Sequence, residues 1–243
     1  MVKQTVMTSV YGVTFLGAKD QVWNRLRERF PPASAGPGGA VASREDLDFM
    51  LRLSSAYLAR VTLNSLGTLF SRADAIKTWL AEVARAVAAR DQPIAWVTPL
   101  GLPCVQPYRE NEKRTVVTVL QNVVVRETGD PDKPVCRFRR RSAFPPNFIH
   151  SLDSTHMFKT ALACQREGIT FAAVHDSFWT HPASVGRMRR ILRSEFVDLY
   201  EEPVLERFRE SLVDRFPGMD LPPLPPKGSF DLREVLAAEY FFS

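Results

Sequence analysis

Apolar residues recur every three or four positions through most of the chain, a spacing that places them on one face of an α-helix. On this basis, helices are predicted over residues 3–11, 22–30, 45–67, 73–90, 147–167 and 184–200. The fifth is expected to start after Pro145 and Pro146, because proline suits the first helical turn, and to end before Gly168. The pattern therefore predicts a mostly helical protein.

Shorter apolar runs between turn residues predict strands. Residues 94–108 are interrupted by proline and glycine and predict a β-hairpin, and residues 115–125 predict a further strand. Residues 169–174 predict a short buried strand, and residues 178–181 its continuation or return. The sequence VHDSFWT, residues 174–180, would then lie at the tip of a hairpin.

The remaining patterns concern packing rather than chemistry. The segment PPASAGPGGAVAS, residues 31–43, has the composition of a flexible surface loop. The apolar stripes, including Trp79, Trp96 and Met188, are expected to form the core. At 243 residues, 45% of them hydrophobic, the chain can form one large domain or two small ones.

Two function classes are disfavoured by composition. No apolar run approaches the roughly 20 residues that a membrane span requires, so no membrane partner is expected. The three cysteines, Cys104, Cys136 and Cys164, share no CxxC spacing, which argues against a disulfide framework and against a zinc site.

The net charge of +5 is mild, but arginine is concentrated in two clusters. One cluster contains Arg137, Arg139, Arg140 and Arg141, and the other contains Arg187, Arg189, Arg190 and Arg193. Such clusters suit a polyanion, although a solvated helix face has the same pattern. Both interpretations stay open at this point.

Polar residues interrupt the apolar pattern at Asp176 in VHDSFWT. An aspartate between two strands can present its carboxylate rigidly, and carboxylate oxygens are the ligands that Mg²⁺ prefers. The alternative is an ordinary turn, in which Asp176 and Ser177 accept backbone hydrogen bonds.

A second candidate lies in the first predicted helix, where Lys3, Met7 and Tyr11 are spaced to share one side before Gly12. Lysine can neutralise phosphate, a tyrosine ring can lie against a base or sugar, and glycine allows close approach to the backbone. The alternative is a surface lysine and a half-buried tyrosine.

Together these two features resemble motifs B and C of the single-subunit RNA polymerases, the phage and mitochondrial nucleotidyltransferases. The resemblance continues through TVMTSVYGVT, AWVTPLGLPCVQPYR, FPPNFIHSLDSTHM, VHDSFWTH and AEYFFS, in the family's order. It implies an α+β, mostly helical part of a right-hand polymerase fold. Residues 1–146 would be a portion of the fingers, and residues 147–243 the distal palm with the motif C hairpin.

The resemblance also implies roles for single residues. Lys3 would contact the triphosphate in catalysis, Tyr11 would help to select a ribonucleotide, and Gly12 would lie beside the nucleotide. His150 would bind the sugar hydroxyl and the minor groove, and Asp176 would be the catalytic Mg²⁺ ligand.

Further contacts are implied around the primer and the nucleic acid. The residues concerned are His175, Ser177, Arg139 and Arg140, with Phe241, Phe242 and Ser243 as a tail close to the site. Met7 and Ser177 stand where family A DNA polymerases usually carry an aromatic residue and a glutamate. RNA synthesis is therefore favoured over DNA synthesis.

The implied activity is that of a DNA-directed RNA polymerase in the mitochondrial matrix, transferring ribonucleotides with two Mg²⁺ ions. Its implied partners are the DNA template, nascent RNA, ribonucleoside triphosphates and mitochondrial transcription initiation factors. In the family, the first metal-binding aspartate and a phosphate-binding arginine precede motif B, and neither lies before Lys3 here. The chain alone is therefore expected to be inactive.

Three alternatives remain. The main one is a truncated or degenerate copy that only binds nucleic acid through its arginines, and a family A DNA polymerase is a weaker one. An HD-type phosphohydrolase would need His150, Asp153 and His156 to bind one metal ion. At about 100° per helical residue, however, the two histidines would point about 120° apart, so this reading is set aside.

Overall fold

The computed structural model describes residues 2–9, 12–31, 44–106, 112–118, 120–127, 136–174 and 176–241. The chain packs into two compact units, Met1–Thr78 and Trp79–Ser243. Of the predicted loop at residues 31–43, only Pro31 lies within the described residues. Helices dominate the described chain and are joined by short antiparallel strand pairs, so the prediction of a mostly helical α+β protein is confirmed.

The first unit consists of α1 (Lys3–Ser9), α2 (Phe15–Arg29), α3 (Arg44–Leu69) and the beginning of α4 (Ser71–Ala88). Helix α2 begins where the Thr14 hydroxyl accepts a hydrogen bond from the backbone N–H of Gly17 at 3.2 Å. Val22 and Leu26 of α2 pack against Leu51 of α3 in a buried cluster. The predicted helices over 22–30 and 45–67 are therefore confirmed as parts of longer ones.

The second unit contains the rest of α4 and most of the remaining elements. In chain order these are β1 (Ile94–Val97), β2 (Pro103–Gln106), β3 (Glu112–Val117), β4 (Asn122–Glu127), α5 (Arg137–Arg166), β5 (Ala172–Val174), β6 (Ser177–Trp179), α6 (Val185–Glu201), α7 (Val204–Arg215) and α8 (Glu234–Ala237). Strand β1 pairs with β2, β3 with β4, and β5 with β6. The predicted hairpin over 94–108 is confirmed as far as residue 106, where the described segment ends, and the helices over 73–90 and 184–200 are confirmed.

An aromatic cluster forms the core between α4, β1, α5 and α7. Its members are Trp79, Trp96, Phe144, Phe148 and Phe208. Trp79 and Trp96 are only 4% and 6% exposed, and Met188 of α6 is buried as well, as the apolar stripes predicted. No helix within the described residues is long and apolar enough to cross a bilayer.

Helix α5 begins at Arg137, so the prediction of a start near residue 147 was wrong. Pro145 and Pro146 lie inside the helix instead of at its first turn. Proline inside a helix removes a backbone hydrogen bond and is normally unfavourable. Here Phe144 and Phe148 flank the prolines and are fully buried, so aromatic packing holds this turn helical against the local preference.

Residues 115–125 form two strands, not the one that was predicted. Strand β3 turns back into β4, and Thr118 closes the turn by donating from its hydroxyl to the Gln121 carbonyl at 2.6 Å. The turn contains no glycine or proline, and Leu120 within it is 95% exposed. An apolar residue at a turn made the two strands look continuous.

Candidate nucleotide and metal site

The β5–β6 hairpin presents Asp176, in the turn directly before β6, with an exposed side chain. Val174 pairs with Ser177 across the strands, and both side chains point outward. At the base of the hairpin, the Thr180 hydroxyl donates to the Thr170 carbonyl at 2.7 Å. His175, predicted to touch the primer end, lies outside the described residues.

The strand before Asp176 was predicted to be buried, and this was wrong. Val174 and Trp179 are 58% and 61% exposed, at the two ends of the strand pair. Phe171 and Phe178 pack against the buried cluster of α5 and α6. A two-stranded hairpin has one face on the core and one face free, so apolar composition alone does not define burial.

Lys3 and Met7 are exposed on α1, whereas Thr5 between them is buried. Thr8 fixes the helix by donating from its hydroxyl to Gln21 Oε1 of α2 at 3.2 Å. Lys3 and Met7 thus share one side of the helix, as predicted, and that side is exposed. Tyr11, the third member, lies outside the described residues.

Gly12 adopts the left-handed backbone conformation, with φ of +79°. Its N–H donates to the Ser9 carbonyl at 3.1 Å, which ends α1 in a turn. Among the described residues other than its chain neighbours, no atom lies within 4 Å of the position that a Cβ would occupy. The backbone conformation therefore favours glycine here, and no described side chain beyond its neighbours fills the space beside it.

His150 is exposed on α5, at a cavity of about 470 Å³ between this helix and the β1–β2 hairpin. The wall includes Trp96, Gln106, Thr155 and Phe158. Trp96 and Gln106 are buried, so the cavity has a fixed back wall, and His150 stands on the more exposed side. A cavity of this size with aromatic walls and a few polar groups suits part of a nucleotide.

His156 lies in a different environment from His150, six residues away on the same helix. Its side chain is buried, and Nε2 donates to the Leu192 carbonyl of α6 at 2.8 Å. Burial lowers the pKa of His156, partly offset by that hydrogen bond and by Asp153. Burial likewise raises the pKa of Tyr200 to about 12.

This environment leaves no place for the HD-type metal site. The Nε2 atom of His156 is hydrogen-bonded to the Leu192 carbonyl of α6. Burial raises the pKa of Asp153, although the charges of His150 and His156 act to lower it. In the part of the chain that the structure describes, no group of three or more His, Cys, Asp or Glu side chains could hold a metal ion.

The carboxylate of Asp176 nevertheless has the donor chemistry that Mg²⁺ requires. Mg²⁺ is usually bound through one or two carboxylates, with water and substrate phosphates as the other ligands. An exposed carboxylate at a hairpin turn fits that arrangement. When bound, the ion would supply charge stabilisation to a phosphoryl group.

In the second arginine cluster, three of the four side chains are engaged in hydrogen bonds within the chain. In the second cluster, Arg187 donates to the Glu167 carbonyl at 2.8 Å and pairs with its carboxylate at 3.1 Å. Arg189 and Arg193 both donate to the Glu239 carbonyl, at 3.1 and 3.3 Å. These three guanidinium groups are bonded to the chain itself, an arrangement that neither of the two open interpretations of this cluster included.

Arg139 and Arg140, predicted to contact nucleic acid, lie in the first turns of α5. Their side chains are outside the described residues. Ser177 is the first residue of β6 and is exposed. Phe241 packs edge-on against Phe196 of α6 with ring centroids 4.8 Å apart, and the two residues that follow lie outside the described chain.

The candidate residues are distributed over both units. Lys3 and Gly12 belong to the first unit, and His150, Asp176 and Ser177 belong to the second. The sequence pattern did not indicate the contacts of His156 with α6 and β6, because its partners there are 36 and 22 residues away along the chain. The one local feature of the sequence that could have pointed to these contacts is that this histidine stands among the apolar positions of α5.

The chain is mostly helical and exposes an aspartate at a hairpin turn. Its first helix carries an exposed lysine and is followed by a turn at glycine. These features are compatible with a nucleotidyltransferase. The chain belongs to the DNA-dependent RNA polymerase family, whose sequence model matches residues 1–220. This confirms the family that motifs B and C predicted.

Curated relatives of the chain include polymerases of two Nicotiana species. DNA-directed RNA polymerase 2A of Nicotiana tabacum is 50% identical over 244 residues, which cover 100% of this chain and 68% of the relative. DNA-directed RNA polymerase 2B, chloroplastic/mitochondrial, of the same plant is 49% identical over 243 residues. DNA-directed RNA polymerase 1, mitochondrial, of Nicotiana sylvestris is 49% identical over 244 residues. The chain spans only 22% and 23% of the length of these last two relatives.

Proposed function

We propose that the chain forms the part of a DNA-directed RNA polymerase that binds the incoming ribonucleotide and one catalytic Mg²⁺ ion. The observation that carries the proposal is the exposed carboxylate of Asp176 at the β5–β6 turn, in a chain of this family. The reaction would be template-directed transfer of a ribonucleotide to the 3′ end of RNA.

Each candidate residue has a role in this proposal. Asp176 binds Mg²⁺, which neutralises charge on the phosphates of the incoming triphosphate. Lys3 contacts those phosphates, and the open space beside Gly12 admits the nucleotide. His150 binds the sugar hydroxyl and the minor groove from the cavity that it shares with Trp96.

Five further residues complete the assignment, of which Tyr11 and His175 lie outside the described chain. Tyr11 would select the ribonucleotide, and His175, with Ser177, would contact the primer end. Arg139 and Arg140 would contact the nucleic acid backbone.

The remaining parts of the proposal follow from the family. The fold would be a portion of a right hand, with residues 1–146 in the fingers and residues 147–243 in the distal palm. That boundary falls inside α5, so this helix would connect the two parts. Two Mg²⁺ ions would act in the intact enzyme, and the second carboxylate would come from the family's motif A.

Partners and location are proposed from the relatives' names and the family. DNA template, nascent RNA and ribonucleoside triphosphates would be the ligands, with mitochondrial initiation factors as protein partners. One of the relatives named above is designated mitochondrial and another chloroplastic/mitochondrial, which supports the mitochondrion as the location. The matrix within it is proposed from the family resemblance.

The test is Mg²⁺-dependent binding of a ribonucleoside triphosphate by the 243-residue chain in the presence of an RNA-primed DNA template. Loss of one charge-assisted contact should weaken binding about tenfold or more in Asp176→Asn and in Lys3→Gln. Asp198→Asn is the matched control, because Asp198 is an exposed carboxylate on α6.

Unchanged triphosphate binding by Asp176→Asn would contradict the proposed role of that residue. Template binding that falls with salt but supports no Mg²⁺-dependent triphosphate binding would instead favour a chain that only binds nucleic acid.

A further inference from the structure

We infer that His156 is a positioning residue for the hairpin that carries Asp176. The inference rests on the proposed function for the role of Asp176, but its physical basis is the packing around His156. That basis is independent of metal and nucleotide.

The ring of His156 is fixed by a hydrogen bond between two helices. His156 lies on α5 and is 6% exposed, and its Nε2 donates to the Leu192 carbonyl of α6 at 2.8 Å. A carbonyl can only accept, so the proton resides on Nε2 and the orientation of the ring is set. The ring is thereby held in one place relative to both helices.

The fixed ring lies against the hairpin. The ring centroids of His156 and Phe178 are 6.5 Å apart, with the planes inclined by 56°. Phe178 is the middle residue of β6, and its neighbours Ser177 and Trp179 are both exposed. Phe178 is therefore the inward anchor of β6, two residues after Asp176.

The opposite side of His156 is braced as well. Phe196 of α6 meets His156 edge-on at 5.6 Å, and Phe241 meets Phe196 at 4.8 Å. Arg189 and Arg193 hold the segment before Phe241 through the Glu239 carbonyl. A continuous line of rings thus runs from the C-terminal segment through His156 to the hairpin.

A hairpin of this size needs such support. Its strands have three residues each, and an isolated two-stranded hairpin is marginally stable in water. A carboxylate that binds a catalytic ion must be held within about 0.5 Å of its productive position. The contacts of Phe178 with His156 and with Phe171 at 5.4 Å are among the restraints that can do this.

Hydrogen–deuterium exchange of the 243-residue chain, with millisecond labelling, tests the inference without metal or nucleotide. His156→Gln keeps a donor near the Leu192 carbonyl and removes the ring. It should accelerate exchange in residues 172–179 by about three- to tenfold, the range expected for loss of an aromatic pair, and leave α5 and α6 unchanged. His156→Phe restores a ring without the hydrogen bond to Leu192 and should therefore restore slow exchange in part.

His181→Gln is the matched control, because His181 is exposed just after the same hairpin. Unchanged hairpin exchange in His156→Gln would overturn the inference. Acceleration of α5 and α6 as large as that of the hairpin would also overturn it, since His156 would then have only a general structural role.

A second measurement leaves His156 in place, in case His156→Gln does not fold. The chain has four histidines, and the imidazole Cε1 proton of His156 can be assigned by NMR. Phe178→Leu removes the ring current of Phe178 and should therefore shift that resonance. An unshifted resonance would show that the rings of His156 and Phe178 are not in contact and would overturn the inference. A negative result in these experiments leaves Mg²⁺-dependent triphosphate binding untouched, so failure of the inference and failure of the proposed function are distinguishable.

Discussion

The indole Nε1 of Trp96 donates a hydrogen bond to the Ser151 hydroxyl at 2.9 Å and thereby ties strand β1 to helix α5. Ser151 in turn donates to the Phe148 carbonyl at 2.6 Å. The bond lies one residue beyond His150, at the cavity that both elements line. It fixes the helical turn from which His150 is presented.

This bond predicts a non-additive pair of mutations. Ser151→Ala leaves a buried indole N–H without a partner and should lower the free energy of unfolding by about 1–3 kcal/mol. Trp96→Phe removes the donor but also part of the aromatic cluster. The double variant should lose less than the sum of the two single losses, because no unpaired donor remains.

Urea denaturation of the four proteins measures this coupling. Losses that simply add would show that the hydrogen bond between Trp96 and Ser151 contributes nothing beyond the packing of each side chain.

Two glycines in open surroundings should respond to alanine with opposite signs. Gly12 has φ of +79°, a conformation that costs a residue with a Cβ about 1–2 kcal/mol. Gly12→Ala should therefore destabilise the chain. Gly67 lies within α3 with no atom near its Cβ position, so Gly67→Ala should stabilise the chain by up to about 1 kcal/mol.

Chemical denaturation, compared with the unaltered chain, measures both effects. If both substitutions changed the free energy of unfolding in the same direction, backbone conformation would not distinguish these two sites.

The buried imidazole of His156 predicts a pH dependence of stability. Burial lowers its pKa in the folded chain below the ordinary value of 6.5. As pH falls through 6.5, the unfolded chain binds a proton that the folded chain does not. The free energy of unfolding should then decrease with falling pH, by at most about 1.4 kcal/mol per pH unit, until the pH reaches the folded pKa.

Denaturation curves between pH 7.5 and 5 measure this slope. His156→Phe removes the titrating group and should flatten the curve, whereas His181→Gln should leave the contribution of His156 intact. An equal slope in His156→Phe and the unaltered chain would assign the pH dependence to other groups.

Much of the fold follows from local pattern, and the exceptions have identifiable causes. Helices α3, α4 and α6 are long, and their apolar spacing predicted them nearly at their observed bounds. The start of α5 was missed because burial of Phe144 overrides the local effect of Pro145. The β3–β4 turn was missed because it contains an exposed leucine where turns usually carry glycine or proline.

The candidate site was predicted from motifs, whereas its supporting contacts were not. Asp176, Lys3 and Gly12 are recognisable in the sequence because their chemistry depends on residue type and on short spacing. The contact of His156 with Phe178 joins residues 22 positions apart and depends on how α5, α6 and the hairpin pack.

The sequence alone therefore defined the family, the long helices and the candidate metal ligand, because periodicity and motif are properties of neighbouring residues. Only the tertiary structure decided which face of the hairpin is free and which arginines are engaged by the chain. Those properties arise from contacts between distant segments, such as Arg193 with Glu239, that no local pattern encodes.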